Sequence, residues 1–276
     1  MPPSGASPRP TADRGRPPGS YGIDAPWVPF LWFGLTLLFL VGGIVAAVAA
    51  TRATHVGAGL VVWLLYTWVG CVVWAVGGWL YLRASRRGKH EVWAEALDEL
   101  DLRGDERALD LGCGRGAVTV ALASRLPHGT VDGVDLWRSV DQSGNDPSAT
   151  RRNLATNGIP EALPDSDPVG RPAGTVALHT ADMTRLPFHD HTFDLVTASL
   201  AIHNVPTAQG RADAVREALR VLRPGGRLVV VDISRVREYA AVAAAAGARV
   251  ETDRGLGWRL WWSGPWMATR LLVVRR

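Results

Sequence analysis

The chain has 276 residues, 47% of them apolar and 20% charged, with a formal net charge of +4. That is too apolar for a disordered chain and long enough for one enzyme-sized domain with an added segment. The charge is unevenly placed: residues 1–87 carry seven Arg against Asp13 and Asp24, whereas residues 88–276 carry 23 basic and 24 acidic side chains. The larger part therefore lacks the basic footprint of nucleic-acid binding, and no nucleic-acid partner is expected. Cys71 lies in an apolar run and Cys113 in a glycine loop, so no disulfide is expected, and no His/Cys cluster has metal-ligand spacing.

Residues 1–26 are rich in Pro, Gly, Ser and Arg and are expected to be disordered. Acidic and basic side chains then vanish from 25 to 51, and only His55 interrupts 53–82. Helices over 27–51 and 57–82 would each exceed the ~30 Å hydrocarbon core of a bilayer. A two-helix transmembrane hairpin over 27–82 is the expected reading. A signal peptide would be shorter and would not be followed at once by a second run. A buried soluble hairpin would need two uncharged stretches of this length hidden in a core. Trp27, Trp32, Trp79 and Tyr81 sit near the helix ends, where amphipathic rings favour the membrane interface. Arg9, Arg14 and Arg16 precede the hairpin and Arg83, Arg86, Arg87 and Lys89 follow it, with only Arg52 between. The expected location is the cell membrane, with the N-terminus and the following domain both cytoplasmic. Residues 83–91 read as a basic linker suited to anionic headgroups. Gly43 and Ala47 offer a small-residue surface for a homodimer, although such residues are common in membrane helices anyway.

From residue 92 onward, strand and helix patterns alternate. A helical face covers 92–102. Strand-like runs follow at 107–111, 130–136, 175–181, 193–200, 227–233, 248–252 and 268–274. Helices are expected over 117–126, 147–156, 208–222 and 235–246, the third ended by Pro224, Gly225 and Gly226. Residues 159–174 hold four prolines and no periodicity, so they read as loop. The alternation implies an α/β domain over 92–276 with a parallel sheet and right-handed crossovers. Val229, Val230 and Val231 make one strand apolar on both faces, as in a sheet covered by helices on each side.

The first strand ends in Asp110, followed by Gly112, Cys113, Gly114 and Gly116, and then a helix. Glycine permits the sharp turn and the close approach of backbone to ligand, and the helix beyond presents unsatisfied N–H groups. The spacing is G-x-G-x-G, not the G-x-G-x-x-G of dinucleotide-binding loops. The next strand ends in Asp135, placed to accept ribose hydroxyls if the two strands are neighbours. Asp110 suits a cationic or zwitterionic ligand better than a pyrophosphate.

Taken in order, the segments 110–116, 133–136, 181–183, 193–196 and 222–228 resemble the motif set of class I S-adenosylmethionine-dependent methyltransferases. That resemblance implies a Rossmann-like sheet of seven strands, ordered 3-2-1-4-5-7-6 with the last antiparallel, and S-adenosylmethionine as cofactor. It implies that Asp110, Gly112, Cys113 and Gly114 line the methionine part, that Asp135 accepts the ribose hydroxyls, and that Leu136 packs on the adenine. It further implies that Asp182 accepts from the adenine amino group beside the Met183 N–H, and that Ser199 ends a strand near the reactive methyl. Leu136 reads equally as plain core, and Asp182 as a helix cap.

His203, just past the fourth strand, is the candidate general base, since histidine titrates near neutral pH. A structural bond from its ring to the loop backbone fits the sequence as well. Asn204 is placed to orient it or the substrate. His179, His189 and His191 are weaker candidates; His191 stands where relatives carry Gly, a position histidine can fill in the left-handed region. The polar segment 137–146 is long for a connection after a second strand and is expected to fold over the site, with Asp141 or Gln142 entering it. Four tryptophans fall within 257–266, suited to core packing, a bilayer interface or an apolar pocket. The expected function is methyl transfer from S-adenosylmethionine to a small apolar or lipid-like acceptor at the membrane. The alternative is a non-catalytic sensor or scaffold that binds the cofactor or its product.

Overall fold

The computed structural model describes residues 16–164 and 170–276. Two 26-residue helices open it, α1 (Trp27–Arg52) and α2 (Ala58–Arg83). Each spans about 39 Å at 1.5 Å per residue, and both are long and apolar enough to cross a membrane. Few of their apolar side chains are buried and many are exposed, unlike those of a helix from a soluble core. They pack through glycine: Gly70 and Gly77 of α2 lie directly under the rings of Phe39 and Trp32 of α1. Gly43 is buried against Thr67 and Trp68, so it serves the packing of the hairpin itself.

The expected linker 83–91 is helix instead. After α2 the chain makes one wide π-helical turn, Ala84–Gly88, and continues as α3 (Lys89–Asp98). Nothing between Arg83 and Lys89 stops a helix except Gly88, and Gly88 has a packing role: a Cβ there would lie 1.9 Å from the Arg259 carbonyl oxygen. The glycine lets the 257–260 turn close onto the helix.

The sheet follows: β1 (Arg107–Leu111), α4 (Ala117–Ala123), β2 (Thr130–Asp135), α5 (Pro147–Thr156), β3 (Thr175–Thr180) and β4 (Phe193–Ser199). Then come α6 (Ala208–Val221), β5 (Leu222–Asp232), α7 (Val236–Ala245), β6 (Arg249–Gly255) and β7 (Arg270–Arg275). The strand order is β3-β2-β1-β4-β5-β7-β6, with β7 antiparallel to both neighbours, as the resemblance implied. Pro224, Gly225 and Gly226 do not end α6. They lie within β5 as an irregularity in its pairing with β4, and the helix stops at Val221, three residues before Pro224.

Leu228, Val229, Val230 and Val231 are fully buried, alternately under one helical layer and the other. One layer is α6 and α7. The other contains α3 and α4, and its core also takes in Tyr21, Tyr81, Ala84 and Trp262. The base of the hairpin is thus part of the domain's core.

Residues 1–15, expected to be disordered, lie outside the described residues. For residues 16–26 that expectation does not hold. Tyr21 is buried, and the backbone of this strap is bonded at Ser20 by Asn153, at Ile23 by Ser143 and at Asp24 by Ser85. Its order comes from partners far along the chain, which composition cannot reveal. Gly88→Ala should lower the thermal midpoint of detergent-solubilised protein, by an overpacking penalty of about 1–3 kcal/mol. Gly59→Ala, where an added Cβ meets nothing within 4 Å, should not lower it.

Candidate functional site

β1 and β2 run parallel with Asp110 beside Gly133 and Leu111 beside Val134, and β4 lies on the other side of β1. The connections after β1 and β4 therefore leave in opposite directions, which opens a crevice at the strands' carboxyl ends. The glycine loop is pinned there. Gly112 N–H and Cys113 N–H donate to the Val134 carbonyl (2.8 and 3.1 Å), and Gly114 N–H donates to Asp135 Oδ2 (2.8 Å). Gly112 has φ +66°, and a Cβ on it would come 2.4 Å from the Ala201 Cβ, so only glycine fits.

Asp110 is 1% exposed. Its two carboxylate oxygens accept the hydroxyls of Thr119 (2.7 Å) and Thr197 (2.9 Å). Burial nevertheless pushes its pKa up to about 7, against those two bonds, with the Asp135 charge adding to the rise. Burial also holds the Cys113 thiol well above its usual range, so it is inert wall and not a nucleophile. Asp135 is half-buried. Its Oδ1 accepts Trp137 N–H (2.5 Å) and Asn145 Nδ2 (3.2 Å), which fixes the carboxylate while lone pairs remain for a ligand.

One open cavity is lined by Asp110, Gly112, Cys113, Gly114, Asp135, Leu136, Asp182, Met183 and Ser199, all nine residues marked for the cofactor. Leu136 is exposed toward it and does not belong to the core. Asp182 is exposed and accepts Thr184 N–H (2.8 Å), so it forms a local turn and lines the cavity as well. The Ser199 hydroxyl accepts Trp93 Nε1–H (2.8 Å), which seats α3 against the end of β4.

His203 is not brought into this wall, although Asn204, Val205 and Pro206 are. Its Nδ1 lies 2.5 Å from Asp232 Oδ1, and its backbone N–H donates to Asp232 Oδ2 (3.2 Å). Asp232 is fully buried at the end of β5 and takes the histidine as partner. His179 is likewise engaged with buried Asp132 (2.7 Å), and His191 takes φ +59° in its turn. The 137–146 segment does fold over the cavity, contributing Arg138, Asp141, Gln142 and Asn145. Two wall residues had no signal in the motif pattern, Asp24 and Lys89, because the hairpin separates them from each other and from the motifs.

Residues 109–230 match a family model described as a methyltransferase domain. The chain is 34% identical over 150 residues to a ubiquinone/menaquinone biosynthesis C-methyltransferase of Ruegeria sp. (strain TM1040), covering 54% of this chain and 51% of that protein. It is 30% identical over 149 residues to a demethylmenaquinone methyltransferase of Staphylococcus aureus (strain JH9), covering 53% and 52%. The chain spans about half the length of these curated relatives. Among solved structures, the fold is similar to geranyl diphosphate C-methyltransferase from Streptomyces coelicolor A3(2), at TM-score 0.52 and 18% identity over 68% of this chain and 79% of that one. It is equally similar to the [4+2]-cyclase SpnF, at TM-score 0.51 and 18% identity over 68% and 83%. One sheet thus hosts different chemistries, and the fold alone does not assign an activity.

A cationic ligand beside Asp110 favours its ionised form, so the bound protein has a lower Asp110 pKa than the free protein. Affinity for S-adenosylmethionine, which carries a sulfonium, should be greatest above about pH 7 and fall as pH drops through that value. Isothermal titration from pH 5.5 to 8.5 measures this, and in Asp110→Asn the slope should flatten.

Proposed function

We infer, from the match of residues 109–230 to a methyltransferase domain and from the site's geometry, that this chain is a membrane-anchored class I S-adenosylmethionine-dependent methyltransferase acting on a small apolar, quinone-like acceptor. The observation that carries the reading is the convergence of nine residues from four separate chain segments on one cavity at the sheet's switch point. The residues present fit the cofactor: a glycine-lined backbone that a Cβ would block, a fixed carboxylate at the end of β2, and an exposed leucine next to it. Asp135 would hold the ribose hydroxyls, Leu136 the adenine face, and Asp182 with Met183 the adenine edge.

A bound sulfonium supplies an activated methyl group. The protein's own task is to align an acceptor, exclude water and receive one proton. Leu200, Ala201, Val205 and Pro206 give the cavity an apolar wall on the β4 side, suited to an uncharged acceptor. His203 lies outside the cavity wall, next in sequence to Asn204 of that wall, so as the base in this reading it would receive the proton through a bridging water. Asp232 holds its Nδ1, and Tyr239 Oη lies 3.5 Å from the same carboxylate, so Nε2 is the nitrogen left to take a proton. The relatives' action in quinone biosynthesis supports an acceptor of that class.

The hairpin supports placement at a bilayer, with basic residues on the domain's side. Arg83, at the end of α2, stacks 3.9 Å from the Trp258 ring centroid. Trp258 and Trp266 are 53% and 68% exposed, and Trp79 and Trp27 are exposed nearby in sequence to the hairpin's ends. Such rings belong at the headgroup level.

With S-adenosylmethionine labelled in its methyl group, turnover should require demethylated quinols carrying an apolar tail, presented in liposomes. Labelling confined to polar, water-soluble acceptors overturns the reading. His203→Ala and Asp232→Asn should each lower kcat by about 10²–10⁴-fold, the usual size of general-base catalysis, with little change in cofactor affinity. In liposomes with brominated acyl chains, tryptophan emission should be quenched, and Trp258→Phe with Trp266→Phe should remove part of the quenched signal.

A further inference from the structure

Two charged residues of the cavity wall lie outside both the motifs and the 137–146 segment, and they come from opposite ends of the hairpin. Asp24 lies three residues before α1, and Lys89 opens α3. Lys89 Nζ is 3.0 and 3.2 Å from the two Asp24 oxygens. The Lys89 side chain is 5% exposed and that of Asp24 is 19% exposed. Taking such a pair out of water is expensive, and a pair of apolar residues would serve stability as well or better. Here the pair is not sealed in a core. It faces the cavity beside the glycine loop.

Its surroundings fix it in place. Asp24 Oδ2 accepts the Ser85 hydroxyl (2.8 Å) and Oδ1 accepts Gln142 Nε2 (3.2 Å). The Oε1 of the same Gln142 accepts Arg115 N–H in the glycine loop (2.9 Å) and lies 2.6 Å from where a Gly114 Cβ would be. The Tyr81 hydroxyl of α2 donates to the Asp24 carbonyl (2.7 Å). Lys89 also borders a second cavity with Ala117 and Val118, which sets it over the start of α4. The acid at the end of β2 and the exposed Leu136 occupy the nucleoside side of the crevice, so the remaining end of the ligand must run along the glycine loop toward this pair.

We propose that Asp24 and Lys89 form a zwitterion clamp for the α-amino-acid end of the sulfonium nucleoside, Lys89 meeting the α-carboxylate and Asp24 the α-ammonium. The inference rests on the methyltransferase reading above. A ligand with one positive and one negative group can lie antiparallel to the pair, so each buried charge gains a second opposite neighbour. Both halves of the clamp are carried by the two ends of the membrane hairpin. The hairpin is then part of the cofactor site, and parting α1 from α2 at their domain ends would separate the clamp.

The test is isothermal titration of the full-length chain in detergent with two ligands. S-adenosylhomocysteine carries the amino-acid end, and 5′-methylthioadenosine keeps the nucleoside and thioether without it. Lys89→Met and Asp24→Asn should each weaken S-adenosylhomocysteine by about tenfold or more, as expected for loss of a hydrogen bond to a charged group, while 5′-methylthioadenosine changes less than about twofold on the same scale. Lys89→Arg should retain most of the affinity. The exchange Asp24→Lys with Lys89→Asp keeps an ion pair but reverses its direction, and it too should lose S-adenosylhomocysteine selectively. Equal weakening of both ligands, or unchanged binding of S-adenosylhomocysteine, overturns the clamp. Native protein that binds neither ligand overturns the methyltransferase reading instead.

Discussion

The attachment of the glycine loop to the end of β2 is the constraint on which the site depends. Three consecutive N–H groups, of Gly112, Cys113 and Gly114, are spent on the Val134 carbonyl and the Asp135 carboxylate. That holds the loop across two neighbouring strands and lets α4 begin immediately after Gly116. The close approach of Gly112 to Ala201 then brings the turn after β4 opposite the loop, and the crevice has two walls. Gln142 arches over from the β2 side and closes a third. Each wall depends on the loop being where Asp135 puts it.

The hairpin joins this arrangement rigidly. A flexible tether would only raise the local concentration of a membrane-borne acceptor. Here α2 continues as helix into α3, the strap before α1 is bonded to the 137–146 segment, and Tyr81 packs edge-on against Trp262 at 5.1 Å between ring centroids. α3 in turn reaches the site through Trp93 and Ser199. The domain's attitude to the helices is set by packed contacts, so an acceptor arriving from a bilayer would meet a mouth of fixed orientation.

Much of the domain was legible because its periodicity and its motifs agree. β1 and α5 have the boundaries the sequence suggests, and the sheet order follows the family resemblance. Asp135 and the glycines could be read because their chemistry is local: a strand end, a turn, a helix start. The strap 16–26 could not, since its Pro/Gly composition is that of a disordered tail and its order depends on Asn153, Asn157 and Gln142, all more than a hundred residues away. Lys89 looked like one more topology-setting cation in a basic stretch. Only the turn of the helix carries it away from that stretch into a buried pair. His203 was correctly placed after β4, but the direction of its ring is decided by Asp232, a buried carboxylate whose need for a partner shows only once β5 lies beside β4.

Asp110 shows which of its competing demands the fold has favoured. A carboxyl with a pKa of 3.8 in the unfolded chain and about 7 in the folded one stabilises the fold fully only below the lower value, and that contribution is lost as pH rises to the upper one. Over about three pKa units the loss is on the order of 4 kcal/mol, comparable to a large part of a typical domain's stability. Asparagine could accept from one threonine hydroxyl and donate to the other with no charge to bury. A residue that destabilises the empty fold at neutral pH, with two threonine hydroxyls arranged to favour its charged form, makes physical sense if a cation is to stand beside it. The Asp24–Lys89 pair stands on the same crevice: charged groups that stability alone does not require are concentrated along its wall, where a ligand bearing the opposite charges would meet them.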